Sequence, residues 1–405
     1  MPAARKSSFF RELRQVLGTP ALLSWTALIT FVPFYVFDSG LPQPGDFLIL
    51  LVAPLAIYGW NRRLPSEHWR ILRPLFLFTL WVALVNYSYA LILNKWGLHG
   101  KETFILFPVY YLYNATTFTV VLVLYHRYRE TFLRFTVNAV FIAVTVQVLY
   151  SFAFPAHNSL REAVFFNNPN QLGYYALCAG CVIALCGRRV KLGMLRAGLG
   201  MSACVYLALL SASRAAAGGV VIIFIVTFVT NPRVILATIP IVVLALAIGG
   251  PITRAIDATQ RRVAVDQFPQ YTFFEERGYG RIQHNMEYII LGAGEGGTDR
   301  FRESIIGTHE IHSSAGTILF SYGIVGSMIM LTFLWRVIKG AHLRLLLTLA
   351  PILAFTVAHN GLRESMLWVL FALFAIVKRE PTATSPPKRD APQHNAPQPR
   401  PVPAT

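Results

Sequence analysis

The chain has 405 residues, 55% of them hydrophobic and 14% charged, with a formal charge of +17 and a mean hydropathy of +0.50. Soluble globular domains carry about 25% charged residues, so this composition excludes an ordinary soluble enzyme. Apolar runs of about 20 residues can each cross a hydrocarbon core of roughly 30 Å. Only helices satisfy their own backbone along such runs, so the expected fold is an all-α polytopic membrane protein.

Residues 1–14, "MPAARKSSFFRELR", predict a basic anchor lying on the membrane surface rather than a cleaved signal. About twelve transmembrane helices follow, at 20–37, 46–60, 74–94, 104–125, 135–154, 171–186, 194–211, 216–230, 234–250, 313–335, 344–358 and 364–377. Residues 1–377 thus read as one transmembrane domain. Cys178, Cys181, Cys186 and Cys204 lie in or beside these spans. The spacing of Cys178 and Cys181 has no second pair to complete a metal site, so all four read as packing residues. The tail 378–405 is rich in proline, alanine and basic residues, lacks apolar periodicity, and is expected to be disordered.

Two thirds of the 36 lysines and arginines fall on one side of this topology, in segments 1–19, 61–73, 126–134, 187–196, 231–233, 336–344 and the tail. The positive-inside rule makes that side cytoplasmic, with both termini there. The positive charge is therefore a topology signal and a membrane-surface charge, and no nucleic-acid partner is expected.

The opposite side has one long loop, 251–312, with seven arginines, nine acidic residues, His284, His309 and His312. Long connections of mixed charge are usually functional. Within it, "GAGEGG" (292–297) lacks the Lys-Ser/Thr of a phosphate-binding loop and reads as a flexible connector. A shorter loop, "PAHNSLREAVFFNNPN" (155–170), runs directly into a span.

Arg214, in "LLSASRAAAGG" (209–219), stands where one span ends and the next begins. It reads either as a helix-end arginine that snorkels or pairs with an acid, or as an anion site. Guanidinium offers phosphate a planar donor fork and keeps its charge when partly desolvated. Small neighbours such as Ser213 would let a bulky ligand approach. Arg277 and Arg281 would share a face if they lay on one helix, though Gly278 and Gly280 weaken that helix. His312 opens a later span, with Ser313 and Ser314 available as caps, and a neutral histidine can take a proton from a hydroxyl. His309 is its rival. No cluster has metal-ligand spacing, and no cofactor is expected. The last hairpin, "AHNGLRES" (358–365), reads as a tight polar turn or as part of an acceptor site.

Four of these pieces, in this order, resemble the O-antigen ligase and O-antigen (exopolysaccharide) polymerase superfamily of bacterial membrane glycosyltransferases. They are "FFNNPNQLGYYAL" (165–177), "LSASRAA" (210–216), "RGYGRI…GAGEGG" (277–297) and "HSSAGTILFSYGIVG" (312–326). The resemblance covers about residues 135–335. It implies transfer of an undecaprenyl-diphosphate-linked glycan to an acceptor hydroxyl, inverting and metal-independent. The acceptor would be another glycan for a polymerase or lipid A–core for a ligase. The active site would be periplasmic, in a bacterial inner-membrane protein. Arg214, Arg281 and His312 fall on the family's catalytic positions, with Arg277 close behind Arg281. Asn168, Asn170, Ser213, Arg277 and His309 are the candidates for substrate binding. Ser313 stands where many members have asparagine. The competing expectation is a transporter or flippase of a lipid-carrier-linked glycan, which would need charged or broken helices along a pore.

Overall fold

The structure is a computed structural model. It describes residues 19–38, 40–58, 60–97, 104–155, 161–230, 272–301 and 311–378, with isolated helical positions between 233 and 261. Eleven apolar helices occur among the described residues, and no strand does. They are α1 (Pro20–Phe31), α2 (Ile49–Ile57, preceded by a 3-10 turn at Asp46–Leu48), α3 (Ser66–Ile92), α4 (Leu106–Tyr128), α5 (Glu130–Ala153) and α6 (Pro169–Gly187). After these come α7 (Met194–Leu210), α8 (Arg214–Thr230), α9 (Ser314–Ile338), α10 (Leu343–Ala358) and α11 (Ser365–Val377). Five of them, α3, α4, α5, α6 and α9, are long and apolar enough to cross a membrane. The other six are shorter. The expected span 234–250, most of the loop 251–271, His309 and the tail from 379 lie outside the described residues.

Local chemistry explains the helix starts. Pro169 sits at the first position of α6, and the Asn168 side chain accepts from the Asn170 backbone N–H at 2.8 Å. Ser313 caps α9 by accepting from Gly316 N at 3.2 Å. Helix α3 begins at Ser66, a full two turns before the expected 74. Its first turns carry Glu67, Arg70 and Arg73 and are helical but not apolar, so hydropathy alone misses them.

Helices α6 and α11 form the centre. Helix α6 packs against α5, α7, α8, α10 and α11, and α11 packs against α4 and α6. Every residue of α11 from Ser365 to Ile376 is buried, as expected of a helix that is apolar all round. Gly173 lets α6 meet the turn before α8: a Cβ there would lie 2.6 Å from Ser211 Oγ and 2.8 Å from Ala216 Cβ. The four cysteines are buried thiols in this core.

The chain runs up and down, so the bundle has two distinct ends. One end is basic. There Arg127 donates to the carbonyls of Leu55, Ala56 and Tyr58 at the end of α2. Arg189 pairs with Glu130 at 2.9 Å. Lys378 gives its ammonium protons to carbonyls of Arg336, Val337 and Lys339 at the end of α9, where a cation suits the helix dipole. The other end gathers the starts of α4, α6, α8, α9 and α11.

Helix α9 is broken at Gly323 (φ 67°, ψ −172°). The segment 289–294 fills the break. Ala293 N donates to Phe320 O at 2.9 Å and Gly294 N to Ser321 O at 2.9 Å. Ile324 N in turn donates to Ile289 O at 2.8 Å, and Trp81 Nε1 to Tyr322 O at 2.9 Å. A break within a membrane helix leaves amides and carbonyls that need partners, and this loop supplies them. "GAGEGG" is therefore not the flexible connector its composition suggests. Residues 292–298 are buried. Positive φ at Gly292, Gly294, Gly296 and Gly297 is what lets the backbone come this close.

Candidate active-site cavity

A cavity of about 420 Å³ opens at the end opposite the basic residues. The segments that meet there include the stretch after α1 at Val32 and Tyr35, the 3-10 turn at Asp46, the start of α4, the start of α6, His312 before α9, and the turn 359–365 before α11. Its rim at Phe47, Leu50 and Val109 is apolar and exposed, so the mouth faces the side of the bundle. Polar side chains, among them Asp46, His312, His359, Arg363 and Glu364, stand between apolar ones in its lining.

Three residues expected from the sequence line it: Asn168, Asn170 and His312. Asn170 Oδ1 accepts from Arg161 Nη2 at 2.6 Å, and Arg161 Nε donates to Ser211 O at 3.1 Å. Arg161 thus ties the "LSASR" turn to the cavity wall. His312 is exposed, and its backbone N–H donates to Arg277 O at 3.0 Å.

The other expected residues stand around the cavity. Arg214 opens α8 and is exposed, whereas Ser213 is buried in the turn, where Ala212 takes a left-handed φ of 46°. Neither lines the cavity. Arg277 and Arg281 do not share a helix face, because Gly278 (φ 74°) turns the chain before a short helix at Gly280–His284. Arg277 Nη1 lies 3.4 Å from His359 Nδ1 in the cavity wall. As arginine can only donate, Nδ1 is the acceptor and the proton of a neutral His359 sits on Nε2. Arg281 is buried, its guanidinium 5.5 Å from the Phe301 ring, beside a second, small cavity of about 30 Å³.

Arg363 lines both cavities. It donates to Glu295 Oε1 from Nη2 at 2.6 Å and from Nε at 3.0 Å. The other oxygen of Glu295 accepts from Tyr322 Oη at 2.7 Å, and its backbone is clasped by Asn86. The glycine loop, the broken helix and the last hairpin are joined at this one buried carboxylate.

Lining residues outside every quoted motif include Tyr35, Asp46 and Tyr113, whereas Tyr174 lies within "FFNNPNQLGYYAL" without being singled out. The one available signal for Asp46 is an acid directly before the apolar run "FLILLVAPLAI". Glu364, by contrast, stands in the polar hairpin. Burial pushes its carboxyl up to about 7, the nearby Asp46 charge adds to this, and the Tyr35 hydroxyl and Arg363 oppose it. Asp46 is also raised by burial, against hydrogen bonds from Gln43 N and from Tyr113.

A carboxyl with a raised pKa binds its proton more tightly in the folded state, so its contribution is complete below the unfolded value. It is lost as pH climbs through the folded one. Thermal unfolding in detergent should therefore report a loss of up to about 3 kcal/mol between roughly pH 4.5 and pH 7 from Glu364. Glu364→Gln should flatten that decline, and an unchanged pH profile would contradict the assignment.

No protein-family model and no curated protein matches the chain, which leaves the geometry of this cavity as the ground for a functional reading.

Proposed function

We propose that the chain is a membrane glycosyltransferase that moves a glycan from undecaprenyl diphosphate to an acceptor hydroxyl. The observation that carries this reading is the cavity itself: His312, His359, Arg363 and three asparagines set among apolar side chains behind an exposed apolar rim. A polyprenyl chain suits such a rim and its head group suits such an interior. Twelve spans, a periplasmic cavity and cytoplasmic termini in a bacterial inner membrane complete the proposal. The basic opposite end supports that orientation.

The acceptor oxygen attacks the anomeric carbon, and the bond from that carbon to the diphosphate oxygen breaks. Its electron pair leaves with the diphosphate, and the acceptor's proton passes to His312. Arg214 and Arg281, with Arg277 the alternative to Arg281, stabilise the leaving diphosphate, whose charge grows in the transition state. The acceptor is a second carrier-linked glycan or lipid A–core.

A transporter is the second reading, favoured by the break in α9 and the buried Glu295–Arg363 pair. The break does not line the cavity, however, and the chain's own loop fills it. That supports a fixed scaffold over a moving gate.

Purified protein given a carrier-linked glycan and an acceptor should release undecaprenyl diphosphate and form the longer glycan in EDTA. Arg214→Ala, Arg281→Ala and His312→Ala should each cut turnover by about a hundredfold or more. Normal turnover in Arg214→Ala would sink the proposed role of that residue. Movement of intact donor across vesicles without transfer would favour transport.

A further inference from the structure

We propose that the α1–α2 edge of the bundle is a membrane-thinning surface, along which the leaflet on the cavity side dips to the level of the cavity mouth. The inference rests on the bundle spanning a bilayer and not on glycan transfer.

Helix lengths set the heights. Helix α4 has 23 residues and α5 has 24. Each therefore rises about 35 Å, enough for a hydrocarbon core of roughly 30 Å. Helix α1 has 12 residues, a rise of about 18 Å. Helix α2 has 9 and the 3-10 turn before it 3, together about 20 Å.

Cross-links show that α2 is short rather than displaced or strongly tilted. Arg127, in the last turn of α4, holds the carbonyls of Leu55, Ala56 and Tyr58. At the other end Asp46 meets the Tyr113 hydroxyl. Along α4, Tyr113 and Arg127 are about 21 Å apart, which matches the rise of α2. Helix α1 stops at the same level, since a Cβ on Gly45 would lie 3.0 Å from Phe31 O.

A polar turn sits above that level. The Gln43 amide donates to Phe37 O at 3.1 Å and Leu41 O at 2.9 Å, and accepts from the N–H groups of Val36 and Phe37. Asp38, Gly40, Leu41 and Pro44 in this turn are exposed. Below it, Leu50, Leu51 and Ile57 are exposed and form the apolar face. Hydrocarbon of full thickness would cover the turn, and exposed irregular backbone does not occur in lipid. An apolar surface too short for a bilayer draws the bilayer thinner. Phe47 and Leu50, at the cavity mouth, then meet head groups instead of acyl chains. A lipid head group can enter the cavity sideways without leaving its leaflet.

Cryo-electron microscopy of the full chain in phosphatidylcholine nanodiscs tests this. The head-group layer on the cavity side should stand about 10 Å lower beside α1 and α2 than beside α5. A level layer, or protein density in place of lipid along that edge, would overturn the proposal. A second measurement reads depth directly. Phe47 and Ile142 are both exposed, and each stands about 18 Å above the basic end. Bimane on Ile142→Cys should be quenched best by lipids brominated near the chain ends. Bimane on Phe47→Cys should be quenched best by lipids brominated near the glycerol. Wild-type protein treated in parallel gives the background from the four buried cysteines. The same depth profile at both positions would also overturn the proposal. Neither readout involves a glycan, so a failure of transfer leaves this surface standing, and a level head-group layer leaves the transferase reading standing.

Discussion

Gly323→Ala is expected to cost more than about 4 kcal/mol and to leave little folded protein after extraction. A Cβ on Gly323 would sit 2.2 Å from Ile290 O and 2.7 Å from Gly292 N, both main-chain atoms that no side-chain rotation can move. The φ of 67° is also one that alanine adopts with strain. The break could close into a regular helix only by expelling the segment 289–294, which would strip Glu295 from its partners. Gly292→Ala should behave similarly, since its Cβ would meet Ser321 O at 2.3 Å. Gly218→Ala in α8 is the control, because a Cβ there meets nothing within 4 Å. Thermal unfolding monitored by size-exclusion chromatography separates these outcomes. A Gly323→Ala protein that melts with the Gly218→Ala control would mean that the loop does not dock at the break.

Arg363→Met should cost about 3–5 kcal/mol, the usual penalty for stranding one member of a buried ion pair. Glu295 is 4% exposed, and losing the guanidinium removes the two charge-assisted bonds to its Oε1. Adding Glu295→Gln should recover much of the loss, since a neutral amide no longer needs the cation. The double-mutant cycle therefore predicts strong coupling between positions 68 apart in the chain. Additive losses would mean that the pair contributes only packing. The same variant should disturb the proposed glycan transfer, because Arg363 touches the large cavity as well.

Much of the bundle is legible in the sequence. The expected 194–211 and 364–377 end within a residue of Met194–Leu210 and Ser365–Val377, because apolar runs bounded by glycine, arginine and serine leave little choice. The expected 20–37 overshoots α1, which stops at Phe31 before Pro33 and an extended segment that pairs Tyr35 N with Phe165 O. Hydropathy cannot register that change, as the residues remain apolar. The site is legible at Asn168, Asn170, His312 and the last hairpin, where polar residues border apolar runs. The cavity's acid wall is less so, since Asp46 gains its meaning only when α2 packs on α1 and α4. "GAGEGG" misleads most. Its glycines resemble a linker's, but here they supply backbone to a broken helix, and that partner lies about thirty residues ahead in the sequence.

The Glu295–Arg363 pair also sets an order of manufacture. With the two 68 positions apart and chain growth at about 5–20 residues per second, the acid is made roughly 3–14 seconds before its cation. By the time residue 338 is added, both halves of α9 and the glycine loop exist, but for the last 25 residues before Arg363 the carboxylate that joins them has no guanidinium. The final helix is therefore the latch of biogenesis. A nascent chain released before residue 363 would hold nearly every span and still present an unsealed helix to the quality-control proteases of the membrane.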